Sequence, residues 1–168
     1  MVLDLAGFFG GDERSSVVAE IALDRKALVR SLAFSPSAEI LALGTHKGAI
    51  LVYALDGSPS LQPVFVHERA HAGMVNQLVF ETARAGGLRL ELQSVSKDGT
   101  RGRHLVEKRE GGEWAMRRLS SDALSRGELS QILPPAVAGG EGRYVALVEL
   151  TALVVDASGN TVRQAWAW

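Results

Sequence analysis

Short apolar runs and turn-forming residues alternate along most of the chain. Val17-Val-Ala-Glu-Ile-Ala-Leu23 is one such run. Val29-Arg-Ser-Leu-Ala-Phe34 alternates apolar with other residues and stops at Ser35-Pro36. Ile40-Leu-Ala-Leu43 leads into Gly44-Thr-His-Lys-Gly48, and Ala49–Leu55 stops at Asp56-Gly57. Gly, Pro and Ser recur too often for a helical period of 3.6 to persist. Runs this short and this regularly spaced predict an antiparallel, all-β fold.

The pattern also repeats. Val29-Arg-Ser-Leu-Ala-Phe34 returns 46 residues later as Val75-Asn-Gln-Leu-Val-Phe80. Each copy is followed by an apolar strand and then a small-residue turn closed by glycine, Thr45-His-Lys-Gly48 and Ser96-Lys-Asp-Gly99. Further strands follow at Ala49–Leu55 and Thr100–Val106. A third, less regular unit starts at Glu128, with strands expected at Leu129–Leu133, Tyr144–Leu150, Ala152–Asp156 and Thr161–Trp166. Its turn is Ala157-Ser-Gly-Asn160. A fixed period of this length marks a repeat architecture.

These units resemble WD40 repeats. The stretch from Val29 to Tyr53 shows an inner strand ending in Phe-Ser-Pro, a second strand, a tight turn and a third strand. His71-Ala-Gly-Met-Val75 resembles the family's Gly-His segment, and Ser94-Val-Ser-Lys-Asp-Gly-Thr100 its Ser-x-Asp-Gly turn. The resemblance implies a polar network of His71, Ser96 and Asp98, with His104 where the family has Trp. Arg25, Thr45, Lys47 and Tyr53 hold the matching places in the first unit. A buried network of this kind is stable only when all members are satisfied. No Trp-Asp dipeptide occurs.

The expected fold is therefore a partial WD40-type β-propeller of about three four-stranded blades, with Val17–Leu23 as an orphan strand. The boundaries are an N-terminal tail at 1–16 and a propeller at 17–168, with blades near 24–67, 68–119 and 120–168. Three blades do not close a ring, and open blades expose edges and apolar faces. The chain is then part of a longer protein, a half that a second copy completes, or a piece completed by a partner. The sequence reading prefers the first. The implied role is a non-enzymatic scaffold for protein assembly.

The stretch Ser96–His104, Trp114 and Leu147–Val155 also resemble late repeats of the WD-repeat auxiliary subunit of tRNA 2′-O-ribose methyltransferases. That resemblance implies an RNA partner and tRNA processing. The segment 97–126 adds a reason, since its eight basic and five acidic residues give a net +3. Arg101, Arg103, Arg109 and Arg117 are then candidate phosphate or partner contacts, with Trp114 as a stacking platform. A solvated blade edge accounts for the same charges.

Charge otherwise changes little: 18 Lys and Arg against 19 Asp and Glu give −1. That argues against a polybasic nucleic-acid binder. The absence of cysteine excludes disulfides, thiolate metal sites and a thiol nucleophile. No apolar run is long enough to span a membrane as a helix. Asp4 and the lack of a basic start argue against a signal peptide, so a cytoplasmic or nuclear protein is expected. Gly7-Phe-Phe-Gly-Gly11 lacks the Lys and Ser/Thr of a phosphate loop, and no Gly-x-Ser-x-Gly elbow occurs.

One motif points to an enzyme. His67-Glu-Arg-Ala-His71 fits His-Glu-x-x-His, which on a helix puts two zinc ligands on one face and makes Glu68 the general base of a metallopeptidase. Pro63 would open that helix, and Glu91 would be a third ligand. The repeat instead places a strand directly after His71, so the preferred reading has no metal, no cofactor and no catalytic residue. The paired Trp166 and Trp168 are read as one face of an outer strand.

Overall fold

The computed structural model describes residues 21–23, 27–58, 60–82, 89–124, 128–133, 144–148, 151–155 and 161–166, the backbone alone beyond 131. Tight glycine turns fold the chain into meanders. Gly48 and Gly99 adopt φ of +83° and +82°. Their N–H groups donate to the carbonyls of Thr45 and Ser96 at 3.2 and 3.0 Å. Such left-handed closures suit glycine and return the chain antiparallel.

Three four-stranded antiparallel sheets result, each paired in chain order. The first holds β1 (Val29–Phe34), β2 (Ile40–Thr45), β3 (Ile50–Ala54) and β4 (Pro63–His67). The second holds β5 (Val75–Thr82), β6 (Arg89–Ser96), β7 (Thr100–Lys108) and β8 (Trp114–Ala123). The third holds β9 (Leu129–Leu133), β10 (Tyr144–Val148), β11 (Thr151–Val155) and β12 (Thr161–Trp166). The second sheet thus runs to Ala123, past the blade limit drawn at 119. The orphan strand does not appear at residues 21–23, where the chain is irregular. The rest of that run, and the turn at 157–160, lie outside the described residues.

The sheets stack through their first strands. β5 packs on β1 and β2, β9 packs on β5 and β6, and at the outer end β4 meets β8. Apolar residues cement the first joint. Ile40, Ile50 and Val52 of the first sheet share a core with Leu78, Leu92 and Val106 of the second. Burying each such side chain contributes roughly 1.5–3 kcal/mol before the entropy of ordering the chain is set against it. Gly44 lets the sheets approach, because a Cβ there would lie 2.6 Å from a Val75 methyl. The other face of the first sheet carries Leu41, Leu43 and Tyr53, covered in part by Ile21 and Leu61.

Candidate functional site: the polar cluster at the first joint

The loop that enters the second sheet, strands β6 and β7 and the turn between them bring His71, Ser94, Asp98 and Thr100 together. His71 lies in the loop from β4 to β5, and its N–H donates to the Gly48 carbonyl at 3.1 Å, tying that loop to the first sheet. Its ring is bonded at both nitrogens. Nδ1 meets Thr100 Oγ1 at 2.7 Å, and Nε2 meets Ser94 Oγ at 2.8 Å. Thr100 Oγ1 donates in turn to Asp98 Oδ1 at 2.6 Å, which makes Nδ1 the donor to Thr100 and Nε2 the acceptor from Ser94. Asp98 also receives the N–H groups of Ala72 at 2.7 Å and Thr100 at 3.0 Å.

Burial drives the His71 ring down to a pKa of about 4, although Asp98 opposes the shift; Arg118 and His67 add to it. Burial works against the charge on Asp98. The Thr100 hydroxyl and N–H, the Ala72 N–H and the Ser96 hydroxyl outweigh it and hold the carboxyl at about 2. At neutral pH the cluster is thus a neutral imidazole beside a fully ionised, hydrogen-bonded carboxylate.

Sequence reasoning placed Ser96 on His71; the structure puts Ser94 there. Ser96 Oγ accepts from the Asp98 N–H at 3.3 Å within the turn. Thr100 and Gly102 were missed as well. Gly102 pairs with Ser94 across the sheet, and a Cβ on it would stand 2.7 Å from Ser94 Oγ. The bare glycine makes the space in which His71 and Ser94 meet.

His104 is fully buried, and neither ring nitrogen makes a hydrogen bond of good geometry. It packs edge-on against His67 with ring centroids 5.6 Å apart. Burial, His67, Arg118 and His71 push its pKa to about 4, while the nearby Leu92 carbonyl acts the other way. An unsatisfied buried ring is a liability that an apolar ring of similar shape removes. His104→Phe is therefore expected to cost less than about 1 kcal/mol, whereas His71→Phe costs about 2 kcal/mol or more by stranding Ser94 and Thr100. Urea midpoints of the two variants test this; equal losses would contradict it.

The His-Glu-x-x-His reading does not survive the geometry. Residues 63–67 form strand β4, with His67 paired to Ile50, and 68–70 form a turn rather than a helix. Both nitrogens of His71 are taken, and Glu91 is held by Arg103. Among the described residues no group of three His, Cys, Asp or Glu is placed to hold a metal.

The basic stretch divides in two. Arg101 is 1% exposed and bonds Asp122 Oδ2 at 2.7 Å, and Arg103 grips both carboxylate oxygens of Glu91. Alternation along β7 turns both onto the face that carries these acids; Arg101 is buried there, whereas the Arg103 side chain keeps about 34% of its surface exposed. Arg109 and Arg117 are exposed, and Trp114 is half-buried under Lys108, whose Nζ lies 5.5 Å from the ring centroid.

No protein-family model and no curated protein matches the sequence. Solved structures do match the fold. A chain in the crystal structure of a mitotic checkpoint complex aligns over 85% of this chain and 38% of its own, with TM-score 0.60 and 14% identity. Sqt1 from Chaetomium thermophilum aligns over 90% of this chain and 38% of its own, with TM-score 0.68 and 19% identity. The Cps50 (Swd1) β-propeller domain from Myceliophteria thermophila aligns over 83% and 41%, with TM-score 0.58 and 16% identity. The chain has the fold of a partial WD40 β-propeller. It spans about two-fifths of the length of these propellers. In propeller terms β1, β5 and β9 are the inner strands and β4, β8 and β12 the outer ones. The His71–Ser94–Asp98 cluster locks the loop between two blades to the turn of the second.

Proposed function

We propose that the chain is a non-enzymatic scaffold that binds a protein partner on the blade end carrying the His71 loop. The observation behind this reading is that the side chains of His71, Ser94, Thr100 and Asp98 are spent on tying that end together. His71 fixes its own loop to Gly48 and to Thr100, and Asp98 fixes the backbone of Ala72. The turns so ordered leave Lys47, Arg69, Ala72 and Lys97 exposed on one rim. A preordered rim loses little conformational entropy on binding.

A photo-cross-linking residue at Lys47 or Lys97 is expected to capture a discrete protein in cells, and one at Asp56, in the turn at the opposite blade end, is not. Adducts at Asp56 alone, or at none of the three, would overturn this reading.

RNA binding has narrower support, since Arg101 and Arg103 face carboxylates of their own sheet. Arg101→Ala is expected to lower stability by about 3 kcal/mol through the stranded Asp122 and leave any RNA affinity unchanged. Retention at low salt that falls with Arg109→Ala and Arg117→Ala would restore the RNA reading.

A further inference from the structure

At the rim end of the first joint the apolar core gives way to basic side chains. Phe65 of β4 packs on that core with Val106 of β7 and Met116 of β8. Val106 pairs with Met116, and one alternation nearer the rim His104 pairs with Arg118. On β4 the same step leads from Phe65 to His67. Period two keeps each basic residue on the face of its apolar predecessor. Three strands therefore change from apolar to basic at one level of the joint, with His71 beside them in its loop.

Contacts tie the group together. The rings of His67 and His104 meet edge to face, 5.6 Å between centroids. Arg118 Nη2 reaches across to the Ala70 carbonyl in a long bond of 3.4 Å. Ala70 lies three residues past His67, so the guanidinium spans the gap between β4 and β8, which meet there. His67 is half-buried and Arg118 exposed, so solvent reaches the group from that side.

This corner holds donors and positive charge without an acceptor to match. His104 is 0% exposed, and neither ring nitrogen has a partner. A buried polar group in that state calls for a ligand to complete it. Among the described residues Arg118 forms no ion pair, and neither does the exposed Glu68 next to His67. Asp98 lies 3.9 Å from His71 Nδ1, whereas Gly102 and His104 stand on the Nε2 side of that ring. The Asp98 oxygens already accept from Thr100, Ala72 and Gly73.

We propose that His67, His104 and Arg118 bind a small inorganic anion at the outer mouth of the first joint. Arg118 supplies a permanent charge and planar donors, and the two imidazoles supply ring N–H groups. An anion held by all three ties β4 to β7 and β8 just where the apolar core stops. A negative charge favours the protonated rings, so binding takes up protons and tightens as pH falls from neutral. The groups that face the site are His67 on β4, His104 on β7, Arg118 on β8, His71 in its loop and, beyond His71, Asp98 in the turn. Of these only Asp98 competes with the anion. The site does not depend on the scaffold reading, and each can fail alone.

The four histidines give four ring signals in a nuclear magnetic resonance spectrum of the full chain. At about pH 5.5, within the range where imidazoles titrate, sodium chloride or sodium phosphate replaces sodium gluconate at constant ionic strength. The His67 and His104 signals are expected to shift saturably, while His46, in the turn after β2, stays put. Saturation by chloride alone supports a site for a single-atom ion, and saturation by phosphate as well supports one open to oxyanions. Arg118→Gln should weaken the binding about tenfold or more, the worth of one charge-assisted hydrogen bond. The same spectrum shows whether that variant folds; should it misfold, His67→Gln is expected to give a loss of similar size. No shift with either anion, a shift linear in concentration and shared by His46, or an affinity unchanged in a folded variant would overturn the proposal.

Discussion

Gly48→Val is expected to destabilise the fold by about 3–4 kcal/mol, from the left-handed backbone and overpacking together. The φ of +83° alone disfavours any residue with a Cβ, and a β-branched one most. The position is also closed by main chain on the side where a Cβ would go. That atom would collide with the His71 carbonyl oxygen and stand 2.8 Å from that of Gly73. Neither neighbour is a flexible side-chain end. The Gly48 carbonyl accepts the His71 N–H, so moving the turn away breaks the tie between blades and tilts the imidazole off Ser94 and Thr100. Gly57→Val separates the two effects, because Gly57 has φ of +84° and nothing near its Cβ position. Its loss, about 1 kcal/mol, measures the backbone term alone. Equal urea midpoints for the two variants would show that the joint does not depend on this approach.

Much of the architecture was legible because strand period and turn chemistry are local. The repeat of Val29–Phe34 as Val75–Phe80 marks two inner strands, and both are β1 and β5 as drawn, with bulges at the same place. The third unit's β9 and β12 keep their expected limits. The network was harder. Ser94 and Ser96 sit two apart on one strand, so period two puts them on the same face and spacing does not choose between them. What chooses is Gly102, opposite Ser94 on β7, and a one-dimensional reading has no means to see the space it leaves.

Charge counting is blind to the same kind of neighbour. Summing 97–126 gives a basic stretch, but alternation places Arg101 beside Asp122 and Arg103 beside Glu91, so the positive charge of both is answered inside the sheet. His-Glu-x-x-His is a local pattern that requires a helix, and the pairing of β4 with β3 removes the helix. In each case the cross-strand neighbour decides what the residue does.

Acid should unfold the protein in two stages, and the first is the larger. His71 and His104 take up protons near 6.5 when unfolded and only near 4 in the fold. Between these values the unfolded chain binds more protons, so stability falls as pH is lowered from 6.5 toward 4 and is fully present above 6.5. Together the two rings are expected to withdraw roughly 3 kcal/mol over that window. His67 on β4 and Arg118 on β8 oppose protonation of both rings, and only Asp98 favours it at His71. Asp98 then acts in the opposite sense of ionisation. Its carboxyl is held at about 2 against a usual 3.8, so its contribution is present above 3.8 and lost as pH falls toward 2. Urea midpoints measured from pH 7 to 4 test the first stage, with His104→Phe as the control. Removing one buried ring should reduce the slope by about half while leaving stability at pH 7 nearly unchanged, since the neutral imidazole makes no hydrogen bond there. A slope unaltered by His104→Phe would mean that the joint between the first two blades is not what acid opens.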